Sequence, residues 1–171
     1  MNTDTKIFSR CLAERLLPVL DDLISQEQLA FVKGRQMADG NRLIEYVLEY
    51  CRVNNIEGLM VAIDFKKAFD SILHDYLYTI LNEFGLPTEY IRMVKTLMTE
   101  GTSCVQNDGQ ITNNFPLGRS CRQGDCLSPY LFILVMETLC YKIKNCDSIT
   151  GITCNKTEFK YGAYADDLTV F

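Results

Sequence analysis

Three aspartates are the side chains in this sequence best suited to bind a metal ion. Asp166 and Asp167 are adjacent and lie between the short apolar stretches 163–165 and 168–171. Neighbouring carboxylates repel each other, and a bound Mg²⁺ relieves that repulsion because hard cations prefer carboxylate oxygens. The competing interpretation is an exposed acidic turn, which is common in surface hairpins. The pair by itself fits a metal site and a turn equally well.

Asp64 is the third candidate, and it directly follows the apolar run 59–63. The run predicts a short strand covered on both faces. An ionised carboxylate at the exit of such a strand is costly without a compensating cation. A salt bridge to Lys66 or Lys67, or a helix-capping role, would satisfy the same carboxylate without a metal.

A polar loop with one glycine is the remaining feature that could take part in binding or catalysis. It covers residues 122–129, RQGDCLSP, and leads into a helix that begins with Ser128 as N-cap and Pro129 in the first turn. Gly124 allows close backbone approach, and a helix start offers N–H donors to an anion. An ordinary helix-entry loop explains the same residues.

The elements that position these residues follow from hydrophobic periodicity and turn signals. Asp4 is a candidate cap of the first helix, and Pro18 either bends that helix or divides it in two. Asn107-Asp108-Gly109 predicts a β-hairpin, and the Asp166–Asp167 pair is expected at the tip of a second one. Predicted helices cover 5–24, 39–53, 74–84, 88–98 and 128–144, and predicted strands cover 59–63, 102–106, 110–115 and short pieces of 152–171. This order indicates an α+β fold in which helices back an antiparallel sheet.

Composition indicates one continuous globular domain. The 171 residues are 47% apolar and 23% charged. No apolar run approaches the roughly eighteen residues of a membrane helix, and residues 1–10 do not resemble a secretory signal. We therefore expect an intracellular protein, in the nucleus or cytoplasm, that is neither secreted nor membrane-bound.

The eight cysteines and the net charge of −5 say less about function than the motifs do. No C-x-x-C pair is present and His74 is the single histidine, which argues against zinc. We expect no disulfides and cysteines that fill apolar space in a reducing compartment. The acidic balance argues against nucleic-acid binding, unless the carboxylates hold cations or a longer protein supplies the basic surface.

Three motifs together resemble the reverse transcriptases of non-LTR retrotransposons. Residues 62–70, AIDFKKAFD, resemble the first palm motif of that family, residues 122–129 the second, and residues 164–167, YADD, the third. Residues 29–35, LAFVKGR, resemble the segment that joins fingers to palm. The motifs stand in the family's order, and the resemblance covers essentially the whole chain. One departure is Cys126, which stands where the family commonly has proline.

The resemblance implies a right-hand polymerase palm with part of the fingers, while the thumb is missing. Residues 1–57 would form fingers and palm-entry helices, and 58–171 the palm with interleaved fingers segments. The implied activity is RNA-directed DNA synthesis from dNTPs on an RNA template with a DNA primer. The remaining fingers and thumb would belong to a longer protein, so the fragment alone would be inactive.

The resemblance also implies the roles of individual residues. Two Mg²⁺ ions, with Mn²⁺ as an alternative, would be held by Asp64 and Asp166 with support from Asp167. One ion would activate the primer 3′-hydroxyl and the other would hold the triphosphate. Phe69 corresponds to a gate that excludes ribonucleotides, although a core residue starting the next helix explains it too. The further expected contacts are Phe65 through its carbonyl, Gln123 and Gly124 for the nucleotide, and Lys33, Arg35 and Arg122 for template or phosphates.

Other functions fit less well. A viral RNA-dependent RNA polymerase would carry Gly-Asp-Asp and would lack Phe69 as a gate. A group II intron maturase-like enzyme and an inactive remnant serving as an interaction module are the main alternatives. A two-metal nuclease would need more ligands than the three aspartates provide.

Overall fold

The computed structural model describes residues 3–99, 101–122 and 124–171. Gln123 lies outside the described residues. The helices are α1 (Thr3–Leu23), α2 (Met37–Asn54), α3 (Ala68–Ser71), α4 (His74–Glu83), α5 (Thr88–Thr99) and α6 (Ser128–Lys144). The strands are β1 (Val61–Asp64), β2 (Thr102–Ser103), β3 (Gln106–Asn107), β4 (Gln110–Ile111), β5 (Phe115–Pro116), β6 (Ile152–Cys154), β7 (Thr157–Phe159), β8 (Tyr161–Tyr164) and β9 (Asp167–Val170).

The central sheet has three antiparallel strands in the order β1-β9-β8. β8 and β9 are consecutive, whereas β1 comes from about a hundred positions earlier in the chain and joins the sheet beside β9. This long-range pairing brings the first and last motifs to neighbouring strands. The α+β architecture with an antiparallel sheet is therefore confirmed.

A helical core packs beside the sheet. In α1 the side chains of Leu12, Leu16 and Leu20 are each 1% exposed, and their spacing of four residues forms one apolar stripe. The stripe packs with α5 and with α6, whose residues 131–134 are all buried, and α4 joins the same core by packing on α5 and α6. A second cluster joins α6 to the sheet through Cys140, Ile143, Tyr161, Ala163 and Leu168. Helix α6 thus connects the helical core to the sheet.

Most predicted helices are confirmed to within a few residues. Pro18 lies inside α1, which runs continuously across it, so the proline does not divide the helix. The predicted cap of α6 is wrong, because Leu127 occupies the N-cap position and Ser128 is the first helical residue. The hydroxyl of Ser128 instead donates to Asp125 over 3.1 Å. The one-turn helix α3 was not predicted.

The prediction for the first strand is wrong in its burial. β1 is the edge strand of the sheet, and the exposed fractions of Val61 and Met60 are 41% and 44%. Asp64 is exposed as well, so desolvation at the end of a buried strand does not describe its surroundings. An apolar run indicates that its side chains favour burial, but it does not show whether other parts of the same chain pack over them.

The predicted hairpin around Asn107-Asp108-Gly109 is confirmed but consists of shorter strands. β3 and β4 pair across Asp108 and Gly109, whose positive φ angles of 47° and 77° suit a type I′ turn. β2 and β5 pair separately beneath it. An additional hairpin, β6–β7, precedes the central strands.

All eight cysteines are free, and the expectation that they fill apolar space holds for only some of them. Cys121, Cys140 and Cys154 are buried fillers, while Cys11, Cys104 and Cys126 are exposed. Among the described residues, no helix combines the length and the apolar character needed to cross a membrane.

Candidate active site

Strand register aligns two of the candidate aspartates. Asp64 is the direct partner of Asp167 in the β1–β9 ladder, and Asp167 is the direct partner of Tyr164 in the β8–β9 ladder. Directly opposed residues of antiparallel strands point to the same face, with Cβ atoms about 4.5–5.5 Å apart. Tyr164, Asp167 and Asp64 therefore form one row across the sheet. Leu168 and Ala163, on the opposite face, pack in the second core cluster.

The third aspartate sits in the turn that joins two of these strands. Ala165 and Asp166 connect β8 to β9 as a two-residue hairpin, so the predicted tight turn is present but lies one residue earlier than expected, with Asp166 in the turn and Asp167 as the first residue of β9. Ala165 has φ of 55°, a left-handed conformation. Asp166 is partly exposed and Asp167 is exposed, so both carboxylates are open to solvent cations.

The donor chemistry of this row suits a hard cation. The carboxylates of Asp64 in β1, Asp166 in the turn and Asp167 in β9 offer only oxygen ligands, which Mg²⁺ prefers over nitrogen or sulfur. Within the described ranges, however, no three His, Cys, Asp or Glu side chains converge tightly enough to form a ready-made metal site. The residue types therefore fit Mg²⁺. Complete coordination of the ion needs further ligands or movement of these side chains. Mg²⁺ commonly keeps several waters and takes oxygens from substrate phosphates.

A buried glutamine that the sequence analysis did not single out holds the turn. Gln28 is 1% exposed, and its Oε1 accepts hydrogen bonds from the backbone N–H groups of Ala165 (2.9 Å) and Ala30 (3.0 Å). Its Nε2 donates to the carbonyl oxygen of Ala165 over 3.3 Å. The one available signal was its position directly before the 29–35 segment, because a polar residue in a loop otherwise indicates exposure.

The aromatic candidates lie in partly buried positions. The ring of Phe69 stacks on Phe132 of α6, with centroids 4.2 Å apart and planes 12° apart. Phe65 is half-buried and packs against both core clusters. The core interpretation of Phe69 therefore has direct structural support, and the partial exposure of its ring leaves a surface for a ligand.

The glycine loop is anchored to α1 through a buried carboxylate. Asp125 is 5% exposed and accepts hydrogen bonds from the hydroxyls of Ser9 and Ser128. The N–H of Leu127 donates to Ser9 Oγ over 3.3 Å. Gly124 is exposed and has φ of 79°, a conformation that glycine adopts without strain. Asp125, which sequence reasoning did not assign, is thus the residue that fixes the loop.

The three basic candidates differ in their surroundings. Lys33 is exposed, while Arg122 is half-buried with its guanidinium packed near Gly101. Arg35 forms a salt bridge of 2.7 Å with Asp21 and also donates to three backbone carbonyls. Its guanidinium is occupied within the chain, so the geometry argues against the expected phosphate contact for Arg35.

A small cavity of about 160 Å³ lies beside the aspartate row. Helix α2 forms one wall, and Tyr164, Asp167 and Thr169 from β8 and β9 form the other. These sheet residues project from the face that carries the aspartates. Part of that face is therefore covered by α2, while the end that carries Asp64 and the turn stays open.

A polar cluster lies behind the sheet, on the opposite side from the aspartates. Ser25 Oγ donates to Glu137 of α6 over 3.0 Å and lies 2.8 Å from the hydroxyl oxygen of Tyr161. Burial is the main cause that raises the pKa of Glu137 above its usual value, and the Glu27 charge adds to it. Burial likewise raises the pKa of Tyr161. These groups support β8 from behind and do not face the candidate site.

Comparison with known proteins gives the family of the chain. Residues 1–171 match the family described as reverse transcriptase (RNA-dependent DNA polymerase). The chain belongs to the reverse transcriptase family. Its relatives indicate the non-LTR retrotransposon type, in agreement with the motifs.

Three relatives of this reverse transcriptase chain are similar over most of its length. The Transposon TX1 uncharacterized 149 kDa protein of Xenopus laevis is 30% identical over 98% of the chain. The Retrovirus-related Pol polyprotein from type-2 retrotransposable element R2DM of Drosophila melanogaster is 30% identical over 84% of the chain. The Retrovirus-related Pol polyprotein from type-1 retrotransposable element R2 of Nasonia vitripennis is 31% identical over 95% of the chain. The chain spans only 13%, 13% and 15% of these proteins.

Proposed function

We propose that this chain is the palm and part of the fingers of an RNA-directed DNA polymerase encoded by a non-LTR retrotransposon. The observation that carries the proposal is the pairing of Asp64 with Asp167 on adjacent strands, next to the turn that contains Asp166. In a chain of the reverse transcriptase family, this arrangement suits nucleotidyl transfer to a primer 3′-hydroxyl.

In this proposal the carboxylates of Asp64 and Asp166 would hold two Mg²⁺ ions, and Asp167, the direct strand partner of Asp64, would support them. When bound, these ions would lower the pKa of the primer hydroxyl and neutralise charge on the triphosphate and the leaving pyrophosphate. The exposure of Asp64 and Asp167 leaves room for the substrate phosphates to contribute the ligands that the protein lacks. By analogy with the family, the backbone carbonyl of Phe65 would provide an additional oxygen ligand from the first motif.

The remaining candidate residues orient the substrates. The partly exposed ring of Phe69 would lie beneath the sugar, where a 2′-hydroxyl would clash with it. Gln123 and Gly124 would line the incoming nucleotide and the template base, and Asp125, the residue after Gly124, is tied to α1 through Ser9. Lys33 and Arg122 would meet template or phosphate groups, since both side chains are at least partly exposed. An RNA template, a DNA primer and dNTPs are the proposed partners.

The test uses the complete reading frame that contains this chain, in a primer-extension assay on an RNA template with Mg²⁺. The change Asp166→Asn removes one carboxylate charge and keeps the side-chain shape. We expect the rate to fall at least about a hundredfold, because the loss removes several kcal/mol of transition-state stabilisation.

The matched control is Asp108→Asn, which changes an aspartate at the tip of the β3–β4 hairpin. Asparagine tolerates the left-handed conformation of Asp108, so this variant should extend the primer at the wild-type rate. Equal rates for the Asp166→Asn variant and the wild type, or no synthesis by the wild type, would reject the proposed function.

A further inference from the structure

We propose that Gln28 is a positioning residue that fixes the Ala165–Asp166 turn and thereby sets the metal affinity and rate of the active site. The proposal rests on the proposed function and goes beyond it, because it assigns a role to a residue outside the three motifs. Gln28 lies in the loop between α1 and α2, 137 positions away from Ala165.

The hydrogen bonds of Gln28 are specific for one residue of the turn. Its carbonyl oxygen accepts from Ala165 N at 2.9 Å, and its amide nitrogen donates to Ala165 O at 3.3 Å. Both backbone polar groups of Ala165 therefore have the same side-chain partner. A third bond, from Ala30 N to Gln28 Oε1 at 3.0 Å, anchors the glutamine to its own loop. With 1% exposure, the side chain is not available to a substrate.

The conformation of Ala165 explains why such a clamp is needed. Its φ of 55° occurs at the first central position of a two-residue hairpin, where glycine is the favoured residue. A non-glycine residue held in this region costs about 1–3 kcal/mol unless the surroundings over-determine it. The two bonds from Gln28 stabilise this backbone and so fix the direction in which Asp166, the next residue, leaves the turn.

The loop that carries Gln28 is itself held rigidly. Arg35 donates to the carbonyl oxygens of Gln28 (2.7 Å), Ser25 and Ile24 (3.1 Å), so its guanidinium joins the loop to the end of α1. The backbone adds two bonds between loop and β8, from Leu29 N to Ala163 O and from Ala163 N to Glu27 O, both 2.9 Å. Gln28 therefore presents a preorganised amide to the turn, and Arg35 contributes through that loop.

The consequence concerns metal binding more than stability. Groups that orient metal ligands typically change metal affinity or activity by about 10- to 100-fold when they are lost. Without the clamp, Ala165 can relax towards negative φ, and the carboxylate of Asp166 moves away from the row of Asp64 and Asp167. Higher Mg²⁺ is then required for the same occupancy, whereas the surfaces for template and dNTP are unchanged.

Two substitutions test the role in the full-length protein. Gln28→Met keeps a similar length and removes every hydrogen bond, while Gln28→Asn keeps the amide but is one methylene too short to reach both Ala30 and Ala165. The control is Tyr90→Phe, which removes a buried bond of 3.0 Å from Tyr90 Oη to Leu12 O between α5 and α1. All variants are compared by thermal melting and by primer extension at increasing Mg²⁺.

Each Gln28 variant that is folded at the assay temperature should need about tenfold more Mg²⁺ for half-maximal rate and should lose about tenfold in kcat. Its KM for dNTP at saturating Mg²⁺ should stay at the wild-type value. Tyr90→Phe should lower the melting temperature without moving the Mg²⁺ midpoint. Wild-type midpoints in a folded Gln28 variant would overturn the positioning role, and so would the failure of both variants to fold, since Gln28 would then be a fold residue.

The outcome is separable from that of the proposed function. If the wild-type protein does not extend a primer, or if Asp166→Asn is as active as wild type, the polymerase proposal itself fails. If those two results are as expected and Gln28→Asn behaves like wild type, only the positioning role fails.

Discussion

Phe69 stacks on Phe132 at a centroid distance of 4.2 Å, so it has a structural role in addition to its proposed role as a steric gate. A ring that is held flat against α6 is preorganised, because rotation would break an aromatic contact worth about 0.5–1.5 kcal/mol. Rigidity is what a steric gate requires, since a mobile ring would yield to a 2′-hydroxyl. The two roles of Phe69 are therefore compatible, and they make different predictions for substitutions.

Replacement of Phe69 by alanine should relax the discrimination between deoxy- and ribonucleotides by about tenfold or more, the cost of roughly 1.4 kcal/mol of lost repulsion. The same change should destabilise the protein by about 1–3 kcal/mol, because a half-buried ring is removed. Single-nucleotide incorporation with dNTP and rNTP measures the first effect, and thermal melting measures the second.

The control for this substitution is Phe132→Leu, which weakens the stack from the buried side. It should lower the melting temperature and relax the dNTP preference much less than Phe69→Ala does, because the ring of Phe69 stays in place and loses only part of its support. If Phe69→Ala changes only the melting temperature, Phe69 is a core residue and the gate role is wrong.

At the residue scale, sequence patterns selected candidate ligands but not the residues that support them. Asp64, Asp166 and Asp167 were selected as candidates because carboxylates near apolar segments are unusual and because their motifs resemble a family. Gln28 and Asp125 were missed, since each is a polar residue in a loop and its burial depends on partners more than a hundred positions away. Local patterns carry no information about such partners.

Helix α6 carries a carboxylic acid into the space behind the sheet. Glu137 is 8% exposed and accepts a hydrogen bond from Ser25, with Tyr161, Glu27 and Lys144 also nearby. Burial, and to a lesser extent the Glu27 charge, raises its pKa above the ordinary value of 4.5. The folded chain therefore binds this proton more tightly than the unfolded chain does.

The sign of the pH dependence follows from that difference. At a pH below the pKa that Glu137 has in the unfolded chain, its contribution to stability is fully present. The contribution is lost as the pH rises through the higher pKa that Glu137 has in the folded chain. Glu137→Gln retains an acceptor for Ser25 and has no charge to bury. We expect its Tm to exceed that of the wild type by about 2–4 °C at neutral pH, as roughly 1 kcal/mol would produce in a domain of this size.

Thermal melting across the acidic and neutral range checks this expectation. The advantage of Glu137→Gln should shrink towards pH 4.5. Glu83→Gln, an exposed change on α4, should leave the Tm unchanged at every pH. A lower Tm of Glu137→Gln at neutral pH would contradict the assignment of an unfavourable buried charge.

The elements themselves were predicted unevenly, for a physical reason. Helices such as α6 carry a periodic apolar stripe and clear end signals, so residues 128–144 were correctly predicted. The hairpin between β8 and β9 was also predicted, to within one residue, because its turn is local. The pairing of β1 with β9 and the exposed position of β1 were not predicted, since the family resemblance implied only that Asp64 and Asp166 converge on one sheet. Neighbouring residues in the sequence do not encode which distant strand completes a sheet.

The whole chain combines an acidic balance with a proposed nucleic-acid substrate. Its 17 basic and 22 acidic residues give a net charge of −5, whereas phosphate contacts usually dominate the affinity for nucleic acids. The chain spans only 13–15% of the relatives described above. Apolar side chains are also exposed, including Leu59 before β1 at 75% and Val53 near the end of α2 at 68%. Charge and exposed apolar surface are both consistent with further protein surface taking part in the proposed activity.

The 171-residue chain alone should therefore extend a primer at least about a hundredfold more slowly than the protein from the complete reading frame, because positioning of the template–primer supplies a large part of the catalytic power. Its affinity for an RNA–DNA template–primer should be weak, and it should fall further with added salt. Primer extension and fluorescence anisotropy with both proteins at matched Mg²⁺ measure these differences. Circular dichroism of the short chain would verify that it is folded before the comparison. Synthesis by the folded 171-residue chain at the full-length rate would refute the inference that surfaces outside this chain hold the template–primer.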